Sequence, residues 1–314
     1  DPDMGNWTYA YDAAGNLTSQ TDAKSQSIFF RYDALNRRQR KDYGAQKPLG
    51  SGDVRYTYDG VTSNGKGRLT EVQDGSGKTT FFYDALGRTT KSVKCLDDPY
   101  TCQSGTSYQT ETTYDLAGRV STIKYPDNAT ISYAYNGPLL LKVYEGTTTY
   151  GQYAGYNALG QPGTLTFGNG VVTTYSYQAQ NFRLDTLVTV KASTTLQNFG
   201  YSYDLGGNIT ALTDSINGNQ TFGYDGLNRL DTATGPYGLH DYDYDELGNL
   251  TFNPLVGTYA YPPSGPTSVR PHAVTTAGSN SYTYDNNGNM LTGPGRALAY
   301  DFENRPTSIT SGGL

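Results

Sequence analysis

Six residues recur along the chain and limit what it can fold into. Tyr83-Asp84-Ala85-Leu86-Gly87-Arg88 comes back, slightly changed, from Tyr11, from Tyr32 and from Tyr114. Further Tyr-led copies start at Tyr58, Tyr135, Tyr156, Tyr177, Tyr203, Tyr224, Tyr244, Tyr284 and Tyr300, most often 21 residues apart. A fixed period of this size means that each copy builds the same supersecondary unit against its neighbours. Longer steps hold insertions. One is the segment 94–108 before Tyr114, and the step from Tyr244 to Tyr284 leaves room for a degenerate copy near Tyr261.

Each unit alternates before its turn. In Thr8-Tyr9-Ala10-Tyr11 the tyrosines fall on one face, and Ser281-Tyr282-Thr283-Tyr284 does the same. Period-two patterning rich in Tyr, Thr, Phe and Val predicts strands, so each repeat reads as an antiparallel β-hairpin. The array is expected to run through residues 1–314 as about 14 hairpins. A Pro-rich irregular connection is expected over 259–272. About 28 strands at ~4.8 Å each make a strip roughly 130 Å long. Open sheets beyond about ten strands curl, so the all-β strip is expected to form a spiral, shell-like or tubular hollow wall.

The shared six residues read as a corner. Asp at the turn accepts backbone N–H groups ahead of it. The fifth position then needs positive φ, which Gly and less readily Asn adopt. The expected turn pairs are Asp12 with Gly15, Asp33 with Asn36, Asp84 with Gly87, Asp115 with Gly118, and Asp204 with Gly207. Asp225 with Asn228, Asp245 with Gly248, Asp285 with Gly288, and Asp301 with Asn304 complete the set. Gly160 and Asn181 hold the fifth position in two further copies. Leu139 breaks the rule, and there Gly137-Pro138 is expected to make a different turn.

Tyr occurs 30 times and Gly 38 times, while hydrophobic residues make up 35%. Such a chain is too aromatic to be disordered, and too poor in Leu, Ile and Val for a thick two-layer core. Half-buried tyrosines on a thin sheet reconcile the two, because the ring packs while the hydroxyl stays wet or finds a partner. Net charge is −6, against the basic face that phosphate binding requires. No run approaches the ~20 apolar residues of a membrane helix. The opening Asp1-Pro2-Asp3-Met4-Gly5-Asn6-Trp7 carries no signal-peptide pattern and reads as mid-turn, so a fragment or processed product is expected. Cys95 and Cys102 flank turn residues, which favours a loop disulfide over free thiols or a two-ligand metal site. A disulfide implies an extracellular or periplasmic setting.

The pattern Tyr-Asp-x-x-Gly-[Arg/Asn]-Leu-Thr resembles the YD repeats of the Rhs family of polymorphic toxins, Tc toxin components, wall-associated proteins and teneurins. The stretches that carry it are 11–23, 64–77, 83–88 and 270–278. The resemblance implies a strip of hairpins spiralling into a hollow shell, which in complete members encloses a C-terminal toxin. It also implies an Asp-Pro-x-Gly core segment with self-cleaving aspartates, and this sequence has no such signature. Asp1-Pro2-Asp3 reads as turn chemistry instead.

Candidate chemistry is sparse. The repeated aspartates are equivalent, whereas glycoside hydrolysis needs two carboxylates in different environments. The oxygen-rich 241–249 and 285–289 lack the spacing of a calcium loop. His240 and His272 belong to no nucleophile motif. No catalytic residue, metal or cofactor is expected. The expected role is structural: a non-enzymatic segment of a secreted or cell-surface protein, enclosing or scaffolding an effector. Its partners would be the rest of a longer chain or identical copies through sheet edges, and an enclosed toxin domain. Two alternatives stand beside it: a module that binds glycans or proteins through Tyr-rich faces, and a self-assembling extracellular filament or tube.

Overall fold

A computed structural model describes residues 1–47, 53–61, 64–96 and 106–312. Thirty strands are assigned among them, and no α-helix. Every pairing resolved is antiparallel and joins strands adjacent in the chain. Among the described residues only six apolar side chains are buried: Ile28, Phe30, Val54, Cys95, Ala233 and Ala277. A two-layer fold of this length would bury many more, so stability is spread along the sheets rather than held in one core.

The described residues form two compact units, Asp1–Tyr108 with Asp243–Leu314, and Gln109–Tyr242. In the second, strands follow one another from Ser107–Tyr114 to Gly238–Asp241, each bonded to the next. Its longest pair, Leu184–Lys191 with Thr194–Tyr203, turns through Ala192 at φ 51°. The exception foreseen at Leu139 is a two-residue connection. Asn136 pairs Leu139 directly, and Gly137 at φ 54° leads the turn.

In the first unit, strands from Thr8–Tyr11 to Thr89–Leu96 run as consecutive hairpins. The late strands, Asp243–Tyr244 to Pro306–Ser311, form shorter hairpins. Corners of the late hairpins sit on turns at the opposite end of the early ones. Lys24 Nζ lies 3.0 Å from Asp285, and the Asn287 amide donates to buried Asp22 at 2.6 Å. One step on, Lys41 pairs with Glu303 and the Tyr43 ring lies 5.8 Å from that of Phe302. One step back, Arg270 N–H donates to Pro2 O at 2.7 Å and Asp3 meets His272 Nδ1 at 2.7 Å. Gly288 is required here for two reasons. Its φ is +83°, and a Cβ would come within 2.4 Å of the Asp3 carbonyl.

Cys95 is buried at 1% exposure and is not a free thiol. Cys102, the partner proposed for it, lies outside the described residues, as does 97–105 of the 94–108 insertion. Within the Pro-rich 259–272, residues Tyr259 and Ala260 are strand, and the irregular path starts at Tyr261.

Candidate functional site: the repeated corner

Each corner is built by one aspartate. Asp33 Oδ1 accepts the N–H groups of Leu35 and Arg37, both at 2.9 Å. Asp225 does the same with Leu227 at 2.8 Å and Arg229 at 2.9 Å. Asp12, Asp84, Asp115, Asp245, Asp285 and Asp301 repeat the arrangement. Asp204 binds the N–H groups of Gly207 and Asn208. Asn157 substitutes for Asp through its amide oxygen.

The fifth residue then reverses the chain. Gly15, Gly87, Gly118, Gly207, Gly248 and Gly288 have φ between 82° and 103°, and Asn36, Asn228 and Asn304 have φ of 59–60°. Asn181 is a correction. Positive φ falls one residue later, on Phe182 at 58°, because the turn from Gln178 closes by an i to i+4 bond and is one residue longer. Beside the corners the register shifts next to the leading Tyr, as between Ala10 and Tyr11 or Gly223 and Tyr224. Such a bulge adds twist and re-aims the side chain at that point.

Two residues of the motif do more than the sequence reading assigned to them. The sixth clamps the other aspartate oxygen: Arg37 Nε to Asp33 at 2.7 Å, Arg229 Nε to Asp225 at 2.6 Å, Asn16 Nδ2 to Asp12 at 2.9 Å. It also reaches the next corner. Asn16 donates to Asn36 Oδ1 and Asn208 to Asn228 Oδ1, both at 2.9 Å, and Asn289 donates to Asn304 at 2.7 Å. Asn at the fifth position is therefore an acceptor as well as a turn former. Arg37 stacks on the Tyr58 ring at 4.4 Å, and Arg119 on Tyr135 at 4.4 Å, a cation–π contact.

The leading tyrosine hooks backwards. Tyr32 OH donates to Leu17 O at 3.0 Å, Tyr135 to Val120 O at 2.9 Å, and Tyr203 to Leu184 O at 2.7 Å. Tyr177 to Pro162 O, Tyr224 to Ile209 O, Tyr284 to Val274 O and Tyr300 to Met290 O follow the same rule. The acceptor in most cases is the first residue after the preceding corner. Tyr261 joins the set through Leu250 O at 3.0 Å, so the degenerate copy foreseen there is a true repeat with a long corner. Burial pushes the Tyr177 and Tyr203 hydroxyls above 10, so they remain donors. The signal for both couplings was in the sequence: a donor at position six and a regular aromatic at position one.

The corner carboxylates are spent in these bonds. The Asn16 side chain holds Asp12 below the ordinary 3.8, and backbone donation from Arg37 does so first at Asp33. The Arg119 side chain acts at Asp115. At Asp245 burial is the largest effect and pushes upward, yet Asn249 and the backbone donors outweigh it. Among the described residues no three His, Cys, Asp or Glu converge as metal ligands. The His240 ring lies 4.7 Å from that of Tyr237, tilted by 36°. Trp7, half-buried, stacks on exposed Tyr9 at 6.4 Å.

Three measurements test this account. Gly15 has φ +84° and open space around a Cβ, so Gly15→Val isolates the backbone cost. It is expected to destabilise by about 1–3 kcal/mol, and Gly15→Asn by less. Equal effects in chemical denaturation would refute the corner assignment. Tyr224→Phe loses the hook to Ile209 O and is expected to cost about 0.5–1.5 kcal/mol, whereas Tyr9→Phe, on a half-exposed ring, is expected to cost under about 0.5 kcal/mol. The third is pH dependence. Carboxylates whose folded values are depressed contribute fully above the ordinary value and lose that contribution as pH falls through the folded value. Stability should thus hold to about pH 4 and decline below it. A decline already complete at pH 5 would show that other groups dominate.

The RHS repeat family model matches residues 5–27, 11–46, 64–94 and 203–240. No curated protein sequence matches the chain. Among solved structures, the Tc holotoxin pore of Photorhabdus luminescens superposes with a TM-score of 0.82 at 19% identity. The TcdB2-TccC3 crystal structure gives 0.80 at 19%, and the form without its hypervariable C-terminal region gives 0.80 at 20%. Each likeness covers 98% of this chain and 18% of the other, so this chain spans under one fifth of those proteins. With corners, hooks and clamps repeated along an all-β strip, the chain matches the RHS repeat model at several places and shares the β-fold of the Tc toxin structures.

Proposed function

We propose that the chain is one arc of a non-catalytic β-wall, a segment of a secreted RHS-repeat protein that encloses or scaffolds an effector. The observation that carries this is the coupling of repeat to repeat at the corners. Asp, Arg, Asn and Tyr, the residue types that elsewhere do chemistry, are bonded into holding one hairpin against the next. A structure that invests its polar groups this way is built to extend a sheet. The fold shared with the Tc toxin proteins supports the same reading, and so does the small share of their length that it covers.

The enclosed partner, in this proposal, is a toxin or effector domain of the same polypeptide. A disulfide between Cys95 and Cys102 would suit the secreted setting. A second reading, a glycan- or protein-binding surface, draws on the exposed Tyr9 and Tyr11 beside Trp7, since aromatic faces stack on sugars.

Electron microscopy of the naturally isolated material decides between them. Closed hollow particles with a protease-protected interior are the expected outcome. Solid monomers that bind glycans, with binding lost on Tyr9→Ala, would replace the wall with the second reading.

A further inference from the structure

The copy that breaks the corner rule leaves one asparagine unoccupied. In most copies the second residue of the motif spends its side chain on backbone N–H groups two and four residues ahead, as Asn157 does on Leu159 and Gln161. Asn136 holds that position in its copy, but the residue two ahead is Pro138, which has no N–H to give. The chain turns in two residues instead, with Asn136 paired to Leu139 and Gly137 at φ 54°. Asn136, Gly137 and Pro138 are exposed, and a Cβ on Gly137 would meet nothing within 4 Å. Among the described residues neither the Asn136 side-chain amide nor the Gly137 N–H has a hydrogen-bond partner.

An asparagine followed by glycine is chemically labile, because without a Cβ in the way the next backbone nitrogen closes readily on the asparagine Cγ. Five such pairs occur: Asn64-Gly65, Asn136-Gly137, Asn169-Gly170, Asn217-Gly218 and Asn287-Gly288. In four of them the attacking nitrogen is occupied. Gly65 donates to Gly60 O at 3.1 Å, and Gly170 to Phe167 O, Gly218 to Asp214 O and Gly288 to Asp285 O at 3.0 Å each. The asparagine side chains of these four are engaged as well. Asn64 Nδ2 donates to Tyr83 O and Asn169 Oδ1 accepts from Val171 N–H. Asn217 Nδ2 donates to Asp214, and Asn287 Nδ2 donates to Asp22. Only at Asn136 are both reacting groups free among the described residues.

We propose that Asn136 is a site of spontaneous covalent modification, from which the fold protects the other four pairs. The Gly137 nitrogen attacks the Asn136 Cγ, and the new N–Cγ bond closes a cyclic imide. The Cγ–Nδ2 bond breaks, and ammonia leaves with the proton given up by the Gly137 nitrogen. Water then opens the ring at either carbonyl, its hydroxyl going to the carbon and its proton to the ring nitrogen. The products are aspartate and isoaspartate, the latter with its main chain routed through Cγ. Water is the only co-reactant, and nothing is oxidised or reduced. Either product puts a negative charge on the turn, and isoaspartate also lengthens the backbone there. The lengthening falls within the Asn136–Leu139 pairing and beside Leu140, whose carbonyl takes the hook of Tyr156. Modification therefore loosens one rung of the array.

Prolonged incubation of the folded chain in neutral buffer, then digestion and mass spectrometry, tests this. The peptide holding Asn136 is expected to gain the mass difference between an amide and a carboxyl. It is also expected to split into aspartate and isoaspartate forms that separate on chromatography. The other four pairs react only after hydrogen bonds open, so each is expected to be slower by about two- to tenfold for every bond that must break. In the denatured chain all five are expected to react at similar rates, which assigns the preference to the fold. Asn136→Gln, whose longer side chain disfavours the ring, is expected to abolish the change at this position with an unaltered circular dichroism spectrum. Modification of Asn136 no faster than that of the other four in the folded chain would overturn the proposal. Aspartate without isoaspartate would overturn it too, because direct hydrolysis of the amide passes through no imide.

Discussion

The hydrogen bond from a motif tyrosine to a carbonyl of the preceding repeat is the constraint on which the rest depends. A thin antiparallel sheet has no core to fix one hairpin against the next, and two-stranded hairpins alone are marginal in water. Here the ring packs on the sheet face while its hydroxyl spans to the carbonyl after the earlier corner, as Tyr32 does to Leu17. Hydrogen bonds from position six to the next corner add a second tie. Stability then accumulates by neighbour contacts, as in other repeat architectures.

This explains why the polar residues of the motif show no catalytic asymmetry. A catalytic carboxylate is made distinct by its surroundings, with its affinity for protons tuned away from that of its partner. The corner aspartates are all tuned the same way, downward, by the same backbone N–H groups and the same position-six donors. Uniformity over many copies fits a fastener. It also fits Asn157, which builds the same corner with no charge at all.

The seam between early and late hairpins of the first unit follows another logic. Each of its contacts, Lys24 with Asp285, Asn287 with Asp22 and Lys41 with Glu303, uses at least one residue that varies from copy to copy. The ladder fixes each hairpin to the next. The variable positions fix which distant hairpins meet, much as charges at the rim of an interface set register.

By itself the sequence determined the unit, its period, its strand content and the fifth-position rule, because those are local: a turn needing positive φ selects Gly or Asn within six residues. The same locality made the Leu139 exception legible. Asn181 was misplaced by one residue since an inserted residue lengthens a turn without changing its composition. What only the tertiary structure decided is non-local. That motif hydroxyls such as that of Tyr32 reach back about 15 residues, that Asn16 meets Asn36, and that Asp22 lies beneath Asn287 across 265 positions depend on how hairpins stack. No spacing rule encodes such stacking, because it joins residues far apart in the chain rather than within one corner.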